Sequence, residues 1–444
     1  MRKILPLLLT CAALAAAGET ISNVSLVQQW PWSEAVSVDF TVSGWDEPAW
    51  SVREMSVVAY DGEEEIGRVS PRALSGDTVI DGDGEKHIVL TPSKDVALKS
   101  RGRIDRFKVA LSSEAVADED VLYIVFDLSK EAGSRGARQY VTRNALTNCI
   151  WGAWSETPDC GAIWTGLVDD ERYFRELMAF RRVPAGSFTM GHGSGGTENR
   201  YSPARRVTIS SPYYISVFET TKYQYRIINS GTNLERPDVM LPSVNDSCNT
   251  IRGDSMPGAE YDWPTRRGVS PDSIVGKLGA KTGLAGMFDL PTEAQWEKAA
   301  RGGVEGDIAY YDGSTACDDA KADELAWFSY NTHDACGVRR GGLKEPNGYG
   351  LYDMLGNVWE MVLDWQNGGV PLGEDNPVGE PVPSARYPNR RILKGGSWQF
   401  ANKGALALYW RSQNPCNARD PRTGSRLVLN LVPYGDGKDA KFKP

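Results

Sequence analysis

The chain has 444 residues, 41 % hydrophobic and 24 % charged, with a net charge of −9. That length suits two domains. The acidic balance excludes nucleic-acid and anionic-membrane partners, which need clustered lysine and arginine, and fourteen tryptophans mark large cores or aromatic binding surfaces.

The chain opens MRKILPLLLTCAALAAAGET. A basic start, an apolar run from Ile4 and the small residues Ala15 and Ala17 predict a secretory signal over residues 1–17. The protein is therefore expected to be secreted, periplasmic or displayed at the cell surface. Losing Arg2 and Lys3 with the leader would take the net charge from −9 to about −11. Thr10 precedes Cys11 where a lipoprotein signal wants a smaller residue. No later segment is apolar for long enough to form a transmembrane span.

From residue 20 to 145 the chain alternates like a sheet protein. VSVDFTVSG places Val36, Val38, Phe40 and Val42 on one face, with Ser37, Asp39 and Thr41 opposite, the period-two pattern of a half-buried strand. Phe107, Val109 and Leu111 repeat it, and VLYIVFDL (121–128) reads as a fully apolar strand. DGDGE at 81–85 predicts a hairpin turn, because Asp-Gly pairs accept positive φ. It lacks the third acid of a calcium-binding EF loop and has Pro92 where that loop needs glutamate. The expectation is an antiparallel β-sandwich of immunoglobulin type.

Residues 146–180 read as a connector, with a short amphipathic helix predicted near DDERYFRELMAF. Six cysteines follow the leader: Cys149, Cys160, Cys248, Cys317, Cys336 and Cys416. In an exported chain they point to disulfides, with fifteen connectivities open; Cys149 with Cys160 and Cys317 with Cys336 are the favoured local pairs. No CxxC occurs, and His87, His192 and His333 are scattered, so no zinc site is expected.

Beyond residue 181 come short strands and many glycines. In LPTEAQWEKAARGG, Thr292 is a natural N-cap with Gln295 three residues on, a capping box. Trp296, Ala299 and Ala300 make the predicted buried stripe, and Gly302 a C-terminal stop; Glu293 and Glu297 read as scaffold. GHGSGG (191–196) lacks the Lys-Ser/Thr ending of a phosphate loop. NGYGLYDMLGNVWE (347–360) then sets Asp353 and Glu360 seven residues apart among apolar side chains. Buried carboxylates need a partner, so either the loop wraps a cation or Asp353 caps a turn while Glu360 faces water.

Six phrases in order, FRRVPAGSFTMG (180–191), ISVFETTKYQY (215–225), LPTEAQWEKAARGG (290–303), GYGLYDMLGNVWE (348–360), ILKGGSW (392–398) and RSQNP (411–415), resemble the sulfatase-modifying-factor family, to which the formylglycine-generating enzyme belongs. The likeness covers roughly residues 180–434. It implies an α+β fold related to C-type lectins, low in regular secondary structure, over residues 181–434, ahead of a polar tail at 435–444. The sandwich lies outside the likeness. The resemblance also implies a calcium ion held by Asp353, the backbone carbonyls of Gly356 and Val358, and Glu360, and calcium prefers such hard oxygens. The family's other calcium site falls near AWFSYNTHDACG (326–337), where the match is poor.

The family's enzyme oxidises a substrate cysteine with copper held by two cysteines that precede the RSQN-like segment, and soft thiolates are what select Cu(I). Counting back from Arg411, those positions are Lys403 and Leu408, and no cysteine occurs from Gly395 to Pro415. Copper is therefore not expected. Neither is iron, since the family's iron branch draws histidines from an added helical domain, although a site built on His192 and His333 stays open. The expected role is recognition of an extracellular peptide or glycan around Trp359, Trp398, Trp410 and Arg411. The alternative is a non-haem metal-dependent oxidoreductase.

Overall fold

The computed structural model describes residues 19–431 except 29–33, 48–49, 102–103, 105, 149, 159, 194–202, 232–237, 255, 264–267, 333–336, 368–374 and 380–382. The predicted leader, the polar tail, Cys149, His333 and Cys336 thus lie outside the described residues. The chain divides into two units: residues 1–122 with 139–154, and residues 123–138 with 155–444.

The first unit holds two antiparallel sheets. Its strands are β1 (Thr20–Gln28), β2 (Val36–Ser43), β3 (Arg53–Asp61), β4 (Glu64–Arg68), β5 (Leu74–Gly76), β6 (Val79–Ile80), β7 (Gly84–Leu90) and β8 (Phe107–Ala115). One sheet runs β1-β2-β7-β5; the other runs β4-β3-β6, with β8 also paired to β3. Val36, Val38, Phe40 and Val42 of β2 are buried while the residues between them are partly exposed. They meet Val57, Val109 and Leu111 in one apolar core. The DGDGE stretch is not a hairpin turn: β6 pairs with β3 and β7 with β2, so it carries the chain from one sheet to the other. Asp83 accepts a hydrogen bond from the Trp45 amide there at 2.8 Å. Asp-Gly chemistry marks a reversal but not which sheet receives the next strand.

The second unit is mixed α and β. In its main sheet Val121–Asp127, Leu177–Val183, Tyr213–Ser216, Val428–Asn430 and Phe288–Asp289 lie side by side in that order. The apolar 121–127 strand pairs antiparallel with Leu177–Val183, Ile124 opposite Phe180. DDERYFRELMAF is not an α-helix. It forms the 3-10 turn Glu171–Phe174 and then enters the strand Leu177–Val183. Tyr173, Phe174, Leu177 and Met178 have helical spacing, but pairing on both strand edges overrides local preference.

A second sheet orders Ser412–Pro415, Arg390–Lys394, Trp359–Trp365 and Thr423–Gly424. The helix Glu293–Arg301 has the predicted capping box at Thr292 and Gln295 and ends at Gly302, φ 61°. It is not one-sided, however, because all nine residues are buried. Its charges are matched internally: Glu293 meets Arg411 at 2.7 Å, and Glu297 meets Arg301 at 2.9 Å and Lys394 at 3.2 Å. Lys298 donates to the Gly186 carbonyl at 2.9 Å, and burying the polar face is tolerable because these groups are paired or hydrogen-bonded.

Candidate functional site

The loop of residues 347–360 is anchored by Asn347, whose Nδ2 donates to the carbonyls of Ala299 (2.7 Å) and Ala300 (3.1 Å) at the end of that helix. Six residues on, Asp353 sits at φ 56° and is 2 % exposed. Its Oδ2 accepts from the Gly342 amide at 2.8 Å, while its Oδ1 is buried with no hydrogen-bond partner in the protein. Burial is the main reason its carboxyl titrates high, at about 6. Gly356 follows at φ 79°, where an added Cβ would lie 2.3 Å from the Trp327 carbonyl oxygen, so only glycine fits the turn.

Glu360 does not face water. It is 1 % exposed, accepts from Arg426 Nε at 2.9 and 3.1 Å and takes the Trp296 indole N–H at 2.7 Å. A third acid joins them: Glu219 accepts from Asn357 Nδ2 at 2.5 Å and from the Val358 amide at 3.2 Å. Its carboxyl is pushed well up by burial, and further by the charges of Asp353 and Glu360. Arg426 donates to the carbonyls of Ser216, Val217 and Tyr352 as well as to Glu360. Three buried carboxyl groups thus lie around a single guanidinium, with the Lys344 ammonium also acting on Asp353.

Those features fit a divalent cation. The partnerless Asp353 oxygen, the clustered buried carboxyl groups and an all-oxygen donor set suit calcium. Among the described residues no group of three or more acid, histidine or cysteine side chains converges as a metal cage, so a cation here needs the backbone carbonyls of Gly356 and Val358 as well. Glu360 is already shared with Arg426, which leaves Asp353 as the acid with an oxygen to spare. Sequence reasoning missed Glu219. Its signal was an acid at the end of the apolar run ISVF, immediately before the Thr-Thr-Lys-Tyr-Gln capping box.

Of the four predicted recognition residues, two are interior. Trp359 is buried and packs edge-on against Phe400, ring centroids 5.3 Å apart. Arg411 is 1 % exposed and doubly paired with Glu293, at 2.7 and 2.8 Å, so it cannot meet a ligand without breaking a buried ion pair. Trp398 and Trp410 are half-buried and reach the surface. Beside Trp398, the Ser397 hydroxyl is buried without a hydrogen-bond partner, as is the Trp398 indole N–H.

At the positions counted for copper thiolates, Lys403 is ion-paired with Asp319 at 3.1 Å and Leu408 is fully buried. His192 Nδ1 lies 2.5 Å from Asp307, and the ring stacks on Tyr409 at 4.2 Å. Its suggested partner His333 lies outside the described residues, as do Cys149 and Cys336 of the expected disulfides.

Residues 170–431 match the family model described as the sulfatase-modifying factor enzyme 1-like domain. The formylglycine-generating enzyme of Mus musculus is 25 % identical over 291 residues, covering 57 % of this chain and 76 % of that protein. The inactive C-alpha-formylglycine-generating enzyme 2 of Mus musculus is 27 % identical over 254 residues, 50 % of this chain and 74 % of that one. Among solved structures, Treponema denticola variable protein 1 superposes with a TM-score of 0.42 at 22 % identity, covering 57 % of this chain and 95 % of its own.

Proposed function

We propose, for a chain that belongs to the sulfatase-modifying factor enzyme 1-like family, an exported role in recognising a peptide or glycan, without copper-dependent oxidation of cysteine. The observation that carries this reading is the thiol-free stretch from Gly395 to Pro415, with a paired lysine and a buried leucine at the counted positions. Without soft sulfur ligands, Cu(I) has nothing there to select it. That one relative of this chain is named as inactive supports a non-catalytic branch.

Calcium is the cofactor this reading assigns. Asp353, the carbonyls of Gly356 and Val358, and Glu360 would hold it, and its charge would offset the clustered carboxyl groups beneath the loop. The recognition surface is centred on Trp398, with Trp410 as its second half-buried indole, since aromatic faces anchor both sugars and peptides.

Purified full-length protein tests this in two measurements. Elemental analysis is expected to give calcium and no stoichiometric copper or iron. A cysteine-containing peptide incubated with copper-loaded protein and oxygen is expected to keep its mass. Stoichiometric copper with conversion of the cysteine would overturn the reading. N-terminal sequencing of secreted material checks the cut near residue 17.

A further inference from the structure

Beside Trp398 lies a second surface, organised by Asn357. This fully buried residue sits at φ 53°, a left-handed conformation that asparagine tolerates. Its amide donates to the Trp327 carbonyl and its carbonyl accepts from the Trp398 amide, both at 2.8 Å. Its side chain accepts from the Arg339 amide at 2.9 Å and donates to the Arg339 carbonyl at 3.1 Å. One residue therefore ties the segments of Trp327, Arg339 and Trp398 into a single patch.

On that patch two cations share one indole. Lys344 Nζ lies 4.2 Å and the Arg339 guanidinium carbon 5.5 Å from the centroid of the Trp327 ring. The two charges are thus no more than about 10 Å apart, comparable with the Debye length at 0.1 M salt. Both residues are half-buried, and burial holds the Lys344 ammonium below the ordinary lysine range. Neither forms a direct ion pair among the described residues; Lys344 donates to the Asp323 carbonyl, with the charges of Asp323 and Asp353 acting on it from farther off.

Most buried cations of this unit hold an acid, as Arg252, Arg301, Arg391, Lys394, Arg411 and Arg426 do, while Lys298 donates to the Gly186 carbonyl. Two half-buried cations without a direct ion pair keep N–H donors that an arriving anion can take up. Two open apolar residues are close to them in sequence, Leu343 beside Lys344 and Tyr330 three residues after Trp327. Tyr330, 59 % exposed, and Leu343, 50 % exposed, are among the few large apolar side chains left open in the described chain.

We infer that this patch binds an acidic peptide, with the peptide's carboxylates on Arg339 and Lys344 and its apolar side chains on Tyr330, Leu343 and the edge of Trp398. This rests on the recognition role proposed above and names its ligand class. The exposed Leu343 favours peptide over sulfated sugar, because a sulfated sugar brings no aliphatic side chain to cover it. The protein's overall negative charge repels acidic chains, so capture must come from local contacts.

The test uses the full chain and fluorescence anisotropy, with a labelled glutamate–leucine peptide, its glutamine and lysine counterparts, and a heparin oligosaccharide. The glutamate peptide is expected to bind, and to weaken about tenfold or more between about 0.05 and 0.5 M salt. Arg339→Ala and Lys344→Ala should each weaken it about fivefold or more. Arg339→Lys should retain most of the binding, Arg339→Glu should shift preference toward the lysine peptide, and Arg206→Ala should change nothing. Melting curves confirm that the variants fold. Glutamate-peptide binding indifferent to both cations overturns the inference. So does equal capture of the glutamine peptide through Trp398, but then the recognition role stands. Preference for heparin through Arg339 overturns the peptide class, and capture of none of the probes overturns both readings.

Discussion

Replacing Asp353 by asparagine should stabilise the calcium-free protein, the reverse of what deleting a buried polar contact ordinarily does. The carboxyl of Asp353 titrates at about 6 against an ordinary aspartate value of 3.8, with burial as the first cause. A raised folded-state pKa means that the group's contribution is fully present below the unfolded value and is lost as pH rises through the folded one. At neutral pH the ionised side chain therefore costs about 3 kcal/mol, two pKa units at 1.36 kcal/mol each. Asparagine removes that charge and can still accept from the Gly342 amide. In a domain of this size the gain corresponds to a rise of about 5–10 °C in Tm. Calcium should stabilise the wild type by about 3 kcal/mol at a hundredfold excess over its Kd, and should barely move the variant. The same stabilisation should fade as pH falls through 6, where protons compete for Asp353. Differential scanning calorimetry at pH 7.5 and pH 5, in chelator and in millimolar calcium, reads all of this. An asparagine variant less stable than wild type in chelator, or one with the full calcium shift, would refute the reasoning.

Three further outcomes follow from the same packing. Arg426→Met leaves Glu360 buried against Trp296 without its cation, and urea titration should show a loss of about 3–5 kcal/mol. Gly356→Ala forces a Cβ toward the Trp327 carbonyl at a positive φ; a loss of about 2–4 kcal/mol and a weakened calcium response are expected, and unchanged stability would mean the turn is built differently. Asp364, also held at about 6 by burial and by the Glu293 charge, should show its effect in pH dependence. The stability of Asp364→Asn relative to wild type should rise by about 3 kcal/mol between pH 4 and pH 7, measured by denaturant unfolding in chelator.

Periodicity made the strands legible and hid their partners. Val36 to Val42 alternate in the structure as they do in the sequence, because a half-buried strand writes its faces into every second residue. The 121–127 segment carries no such mark of address. Apolar on both faces, it fits any central position, and only the pairing with Leu177–Val183 reveals which sheet it joins. The helix at 293–301 shows the complementary limit. Its cap was written locally, as Thr292 and Gln295, but its burial on all sides depends on Arg411 and Lys394, which lie about a hundred residues later. The same long reach hid the role of Arg411, whose charge looked available for a ligand and is consumed by Glu293.

Asn357 shows why the 347–360 loop and the proposed recognition surface are best regarded as one mechanical unit. Its Nδ2 touches both Glu219 and the Arg339 carbonyl, and its backbone holds Trp327 and Trp398. Any change in charge among Glu219, Asp353 and Glu360 acts on the same residue that sets the spacing of the surface side chains. Because that residue is fully buried, its neighbours have no room to yield independently. A metal bound by the loop would therefore hold the patch in one arrangement, limiting the ordering cost that flexible surfaces incur on binding. On the proposed reading, structural calcium in the interior and ligand capture at the surface would be two consequences of a single Gly-Asn turn.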